Sequence, residues 1–423
     1  MELTQYLDRS YTAYHAVANA AAYLAERGFV LLNETEPYRI EAGKRYFIVR
    51  DGSALIALSV GNRKTFRFAA SHTDSPAFKV KGDAVATVEA YCKLNVEKYG
   101  GGLFYSWLDR PLALAGRAVV KREGKILSVP VASEETFVIP SVAIHFNRSA
   151  NDGIKLNPQT DMMPLIGLDH AIRSVKELFA QRTEGEIVDW DLFVVCREKP
   201  FVNGLDGAFL SAPRIDNLTS AFASLEAVAD CAPDGIAVAF LADNEEVGSA
   251  TKQGAGSTFL RETAERVYRA IGGDNFDGAL AESLFLSVDN AHALHPNHPE
   301  LSDPVNQVYM NEGVVIKFNA NQKYTTDGVS EAVFHAICQH ADVPVQHFAN
   351  RSDMPGGSTL GNISGGHVSV NTLDIGLAQL AMHSSYETAG TKDVDYMIRA
   401  MRAFYETEID CLRDGDYQLT FRA

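Results

Sequence analysis

Histidine and acidic residues recur in this 423-residue chain where apolar runs stop. His72 and Asp74 follow FRFAAS (66–71) in SHTDSP, and Asp243, Glu245 and Glu246 follow IAVAFLA (236–242) in DNEEVGS. Asp289 follows LFLSV (284–288) in SVDNAHA, Asp216 opens a helix in APRIDN, and His383 lies in LAMHSSYE, after HVSVNTL (367–373). A carboxylate left alone beside a buried strand end costs several kcal/mol, so such groups pair, protonate or bind metal. Singly, each has a plain reading: a turn for HxD, a solvated pair for the two glutamates, a helix cap for Asp216, a satisfied core histidine for His383. Independent caps and turns have no reason to supply so complete a ligand set. Their joint occurrence implies a cation on one rim.

Two other features invite chemistry. The loop DMPGGSTLG (353–361) lacks the lysine and spacing of a phosphate cradle, and fits a backbone segment that approaches a substrate closely. His292, His295 and His298 in AHALHPNHP fit a solvated loop with one or two supporting roles better than a third metal site.

The elements that must position these residues form an α/β pattern. Short apolar runs suited to buried parallel strands alternate with amphipathic stretches at Leu218–Ala229, Ser330–His340 and Val394–Leu412. Sites in open sheets of this kind form beyond the carboxyl ends of the strands. Between Gly82 and Gly207 the pattern turns to β-type alternation, as in RAVVKREGKILSVPV (117–131), whose REGK reads as a hairpin turn. Helical signal there is confined to about 169–180. A second, β-rich domain is therefore expected inside the first, and the length also predicts two domains.

Composition narrows the function. Hydrophobic residues make up 46% and charged residues 22%, as in globular proteins, and no apolar run approaches the length of a membrane span. The first 29 residues read as an amphipathic helix of the fold, not a secretion signal. A formal net charge of -16 argues against nucleic acid and anionic membranes as partners. An acidic ligand would need a locally placed cation. The five scattered cysteines contain no CxxC pair, which predicts a reducing, cytoplasmic setting.

Taken together, SHTDSP, IPSVAIHFNR, APRIDN, DNEEVGS, SVDNAHALHPN, VIKFNANQKY, DMPGGSTLG and AMHSSYE resemble the aspartyl aminopeptidases, a branch of the two-zinc exopeptidases. The resemblance runs from SYTAYHAVANAA to MHSSYET; SYTAYH departs from the prolines frequent in relatives and touches no ligand. It implies a three-layer metallopeptidase domain (1–81 and 208–423) with a mixed, largely parallel sheet, interrupted by a β-rich dimerisation domain (82–207). Asp216 would bridge two zinc ions, with His72 and Asp289 on one and Glu246 and His383 on the other; cobalt or manganese also suits the N/O set. Such ions sit roughly 3.5–4 Å apart and share a water that they acidify to hydroxide. Glu245 would be the general base and acid, and Asp74 would accept the other N–H of the His72 ring. Lys317 and Tyr324 in VIKFNANQKY resemble the pocket for an acidic side chain. His145 in IPSVAIHFNR resembles a histidine that reaches a neighbour's active site within dimers gathered into a dodecamer. The implied activity is removal of N-terminal Asp or Glu from peptides. A broader aminopeptidase, a deacylase and a non-catalytic carrier are the alternatives.

Overall fold

Three of the apolar runs (66–71, 236–242 and 284–288) become strands buried on both faces, which is why they read as continuous rather than alternating. The computed structural model describes residues 1–169 and 171–421, all but the side chain of Asp83. A nine-stranded sheet forms from β1 (Val30–Leu31), β2 (Arg45–Arg50), β3 (Ala54–Val60), β4 (Phe66–His72), β5 (Ile236–Ala242), β6 (Leu284–Val288), β7 (Val314–Phe318), β8 (Val345–Ala349) and β9 (Asn371–Gly376). Its order is β1-β2-β3-β5-β4-β6-β9-β7-β8. The central strands β5, β4, β6 and β9 run parallel, while β3 and β7 pair antiparallel to them, so the sheet is mixed.

Residues of alternate parity build two cores. Ile56, Leu58, Phe66, Phe68, Val238 and Phe240 pack against Phe259, Leu260, Ala264 and Val267 of a helix at Phe259–Ala270. Leu55, Ala57, Ala69, Ala237 and Ala239 pack on the other face beneath α1 (Leu3–Arg9), α2 (Ala13–Glu26) and α3 (Ile215–Asp230). The alanines on that face let α3 lie close to the strands. Helices Gly328–His340 and Asp393–Glu406 complete the same layer.

Three expected elements shift. The N-terminal helix is two helices, broken at Ser10–Thr12, where Thr12 takes extended φ/ψ. The stretch Val394–Leu412 stops being helical at Glu406, and Glu408–Arg413 forms a hairpin with Asp416–Thr420. The run HVSVNTL enters the sheet only at Asn371, because a short helix at Leu360–Ser364 and a turn precede it.

The β-rich segment is a six-stranded antiparallel sheet with its own core of Phe78, Leu94, Val96, Trp107, Leu114 and Val194. Strands Leu112–Arg122 and Lys125–Ala132 join through Glu123 and Gly124, both at positive φ, so REGK is a two-residue hairpin turn. Strand Ala77–Val88 runs through residue 82, and the last strand ends at Cys196, so this sheet spans Ala77–Cys196. Among the described residues, α-helix there is limited to Lys176–Phe179; residue 170, within the expected helical stretch, lies outside the described residues. Phe201–Asn203 and Phe209–Ala212 join a third sheet with Glu387–Gly390, Ala378–Leu380 and Ala291–His292. Among the described residues, no helix is long and apolar enough to cross a membrane.

Candidate active site

The carboxyl ends of three adjacent strands deliver most of the site. His72 ends β4, the turn Asp243–Glu246 follows β5, and Asp289 follows β6. Asp216 and Asn217 lie at the start of α3 in non-helical φ/ψ. His383 sits at positive φ in the turn between the third-sheet strands Ala378–Leu380 and Glu387–Gly390.

Asp216 is the centre of the arrangement. Its Oδ1 lies 3.5 Å from His72 Nε2, which is also 3.5 Å from Asp289 Oδ1. Its Oδ2 lies 3.4 Å from His383 Nε2, which is 3.5 Å from Glu246 Oε1. One carboxylate thus faces two separate imidazole–carboxylate pairs. The far nitrogen of each ring is pinned to a main-chain carbonyl: His72 Nδ1 to Asp74 O at 3.0 Å, His383 Nδ1 to Gly101 O at 3.1 Å. A proton on Nδ1 satisfies each carbonyl and leaves both Nε2 atoms aimed at the acids.

These residues fit a metal. Asp216 Oδ1 and Glu246 Oε1 are buried and accept no hydrogen bond among the described residues, an arrangement that a cation resolves. His72, Asp216 and Glu246 bring ligand atoms within 4.8 Å of one another. The field is strongly negative. Burial pulls the His383 ring down, but Asp216 and Glu246 outweigh it and raise its pKa to about 10. Burial likewise opposes protonation of His72, yet Asp216, Asp289 and Asp74 hold it well above the usual imidazole range. Burial pushes Asp216 up, and the two histidines overcome this and hold it below the carboxylate range. The field that favours a proton between these groups favours a dication more.

Glu245 lines the same cavity, of about 380 Å³, without being one of the residues in ion-pair contact with the histidines. Burial first, then the neighbouring acids Asp289, Asp74 and Asp216, raise its carboxyl to about 7 against the opposing pull of His72. Such a group can both take and give a proton near neutrality.

Asp74 differs from expectation. Its main-chain oxygen, not its carboxylate, makes the short contact to His72; the carboxylate stands 3.4 Å from Nδ1. The carboxylate instead accepts the N–H groups of Glu245 (3.1 Å) and Glu246 (3.2 Å) and the Tyr99 hydroxyl (2.8 Å). Asp74 therefore fixes the turn that carries both glutamates.

Lys317 is 2% exposed, which excludes a solvent-facing strand lysine. Its Nζ donates to Asp289 O (2.8 Å) and Asn290 O (3.2 Å) and lies 5.1 Å from the Tyr324 ring centre. Lys317, Tyr324, His292 and the loop residues Gly357, Ser358 and Thr359 line the cavity. His295 and His298 are exposed. His145 stands apart from its own chain's cavity, exposed in a turn rather than in a strand.

Residues not anticipated from sequence complete the support. Glu387, buried at 1% exposure, accepts the N–H groups of Asp216 (3.0 Å) and His383 (2.8 Å). Burial, with Asp216 nearby, raises it to about 8. An acid four residues after His383 in an otherwise uncharged strand was the available signal. Tyr99, Gly100 and Gly101 of the β-rich unit reach the centre: a Cβ on Gly100 would lie 3.1 Å from the Glu246 Cβ. Sequence offered no sign of that contact.

Known proteins resemble this chain over nearly its full length. Residues 6–405 match the family described as aminopeptidase I zinc metalloprotease (M18). The chain is 41% identical over 429 residues to a probable M18 family aminopeptidase 2 of Clostridium novyi (strain NT), covering 96% of this chain and 98% of that one. Another probable M18 family aminopeptidase 2, of Stutzerimonas stutzeri (strain A1501), is 38% identical over 96% and 97% of the two chains. Among solved structures, a chain in the cryo-EM structure of the Ape4 and Nbr1 complex superposes with a TM-score of 0.91 at 33% identity, over 95% of this chain and 84% of that one. The S. cerevisiae mApe1 dodecamer superposes at 0.82 with 27% identity, over 95% of each chain.

Proposed function

Because the chain belongs to the M18 family of zinc metalloproteases, and is thus a zinc-dependent aminopeptidase, we propose that it removes acidic N-terminal residues from peptides at a two-metal centre. The observation that carries this reading is the pair of Asp216 oxygens, each turned to a different histidine–carboxylate pair. His72 and Asp289 would hold one zinc, Glu246 and His383 the other, with Asp216 between them. Two zinc ions supply Lewis acidity toward the scissile carbonyl and an acidified water as nucleophile. Glu245 takes a proton from the attacking water and returns it to the leaving amine. Asp74 and Glu387 hold the backbone of Glu245, Glu246, Asp216 and His383 in register. Lys317, buried beside Tyr324 on the cavity wall, is the local cation that an acidic side chain requires in a chain of net charge -16. The β-rich unit mediates dimers within a larger closed assembly, for which the dodecamer of S. cerevisiae mApe1 is the precedent. Five unpaired cysteines suit a cytoplasmic setting.

Metal content and hydrolysis of an Asp-, Glu-, Leu- and Lys-arylamide panel test the reading together. Asp-arylamide should be turned over best; equal rates on all four would favour a broader aminopeptidase. Asp216→Ala should lose metal and activity together. Glu245→Gln should lose turnover while keeping its metal, because it removes a proton carrier and no ligand. Equal metal loss in both variants would remove Glu245 from the role of base.

A further inference from the structure

Two irregular segments form the wall around Lys317: residues 319–327 after β7, which carry Tyr324, and residues 350–359 after β8, which carry Gly357, Ser358 and Thr359. Loops of this kind keep a fixed separation only where something pins them. Asn319 Nδ2 donates to Asn350 Oδ1 (3.2 Å) near the strand ends. The pin at the cavity end is Asp374 of β9, which is fully buried. Its Oδ1 accepts the Thr359 hydroxyl at 2.5 Å. Its Oδ2 accepts the Thr325 N–H at 2.6 Å and the Thr325 hydroxyl at 2.7 Å. The Thr326 hydroxyl accepts the Asp374 N–H at 3.0 Å.

Among the described residues, no cation lies within ion-pair distance of this carboxylate, so these donors are what compensate its burial. Thr359 is the N-cap residue of Leu360–Ser364, yet its hydroxyl makes no cap hydrogen bond and goes to Asp374 instead. Gly361 permits the convergence: a Cβ there would meet Asp374 Oδ2, Thr325 Oγ1 and Ser287 Cβ, each at 3.0 Å.

The geometry points to Asp374 as a positioning residue for substrate selection. It sets the distance between the Tyr324 wall and the Gly357–Thr359 wall, and so the depth available to a substrate side chain beside Lys317. Asp374 itself does not line the cavity and holds no metal ligand. This rests on the proposed use of that cavity by the N-terminal side chain.

The test compares Thr325→Val, which keeps the shape and loses the hydroxyl bonded to Asp374 Oδ2, with Thr325→Ser, which restores it; Thr325 does not itself line the cavity. On whichever arylamide the wild-type enzyme turns over best, Thr325→Val should raise KM about tenfold while kcat stays within about twofold. Zinc content should be unchanged, and Thr325→Ser should return KM to the wild-type value. Asp374→Asn should follow Thr325→Val if it folds. Loss of kcat or zinc at unchanged KM, or identical behaviour of the Ser and Val variants, overturns the assignment. A wild-type enzyme without acidic preference would instead fault the choice of substrate class, and the KM comparison would still judge Asp374.

Discussion

Asp216 and Lys317 show how a side chain's role follows from what surrounds its charged atoms. Asp216 is buried, with an oxygen that accepts no hydrogen bond among the described residues, in a site where burial pushes a carboxylate toward its neutral form. Two imidazoles hold it ionised, and that residual negative field is the reason it suits a bridging ligand. Lys317 is also buried, but two carbonyls take two of its three donors, and among the described residues no carboxylate pairs with it. A cation in that state can receive an acidic side chain with its third donor. Lys317→Ala should therefore cut kcat/KM for Asp-peptides far more than for Leu-peptides. Truncating one partner of a desolvated charged pair costs about 2–5 kcal/mol. A uniform fall across both substrates would make the lysine a brace for the Asp289–Asn290 backbone and nothing more.

Among strands and helices, legibility tracked how local the cause was. Strands β5 and β6 were readable to the residue, because burial on both faces leaves an unbroken apolar run. The acids and histidines at their ends were readable for the same reason. The strand at Asn371–Gly376 was misplaced since the preceding glycines and the buried Asp374 break the pattern. The contact of Tyr99 with Asp74 was not readable at all, because it joins a strand of the β-rich sheet to the loop that follows β4. Tyr99 also accepts from Asn244 Nδ2 at 2.9 Å, so it braces the turn bearing Glu245 and Glu246 from two sides. Tyr99→Phe should weaken zinc binding about 10-fold or more, measured by competition with a chelator. Unchanged affinity would show that Asp74 holds the turn unaided. A second element carries a pH signature. At the start of α2, burial and the nearby Arg214 depress His15 to about 4, and its ring meets Thr12 Oγ1 at 2.9 Å. A folded pKa below the unfolded value of 6.5 means stability is present above pH 6.5 and is lost as pH falls toward 4. The shift corresponds to about 3 kcal/mol. His15→Gln should flatten the decline of Tm between those pH values, and an unaltered decline would assign the acid sensitivity to other groups.

Across the full chain, the β-rich unit serves the centre within its own subunit and carries an exposed apolar turn elsewhere. Its segment Tyr99–Gly101 contacts Glu246 and His383 at home. Its exposed turn carries Val142, Ile144 and Phe146, which are 65%, 48% and 88% exposed, with His145 among them. Contiguous apolar side chains left in water mark an interaction surface. A histidine embedded there is carried to wherever that surface docks. The proposed destination is the active site of a second copy, where His145 would donate a hydrogen bond to the oxyanion forming on the scissile carbonyl. Losing one such donor costs about 2.7–4 kcal/mol, so His145→Ala should lower kcat by roughly 100- to 1000-fold with zinc content intact. Glu245→Gln should be inactive for a different reason, within its own chain. Co-expression separates the two cases. In a mixed dimer, the chain bearing His145→Ala keeps Glu245 and receives His145 from its partner, so one site is whole. Recovery of activity in the mixture, beyond the sum of the pure variants, is the expected result. If mass spectrometry proves that mixed dimers formed and activity stays at the level of the pure variants, His145 acts within its own chain or takes no part in the reaction.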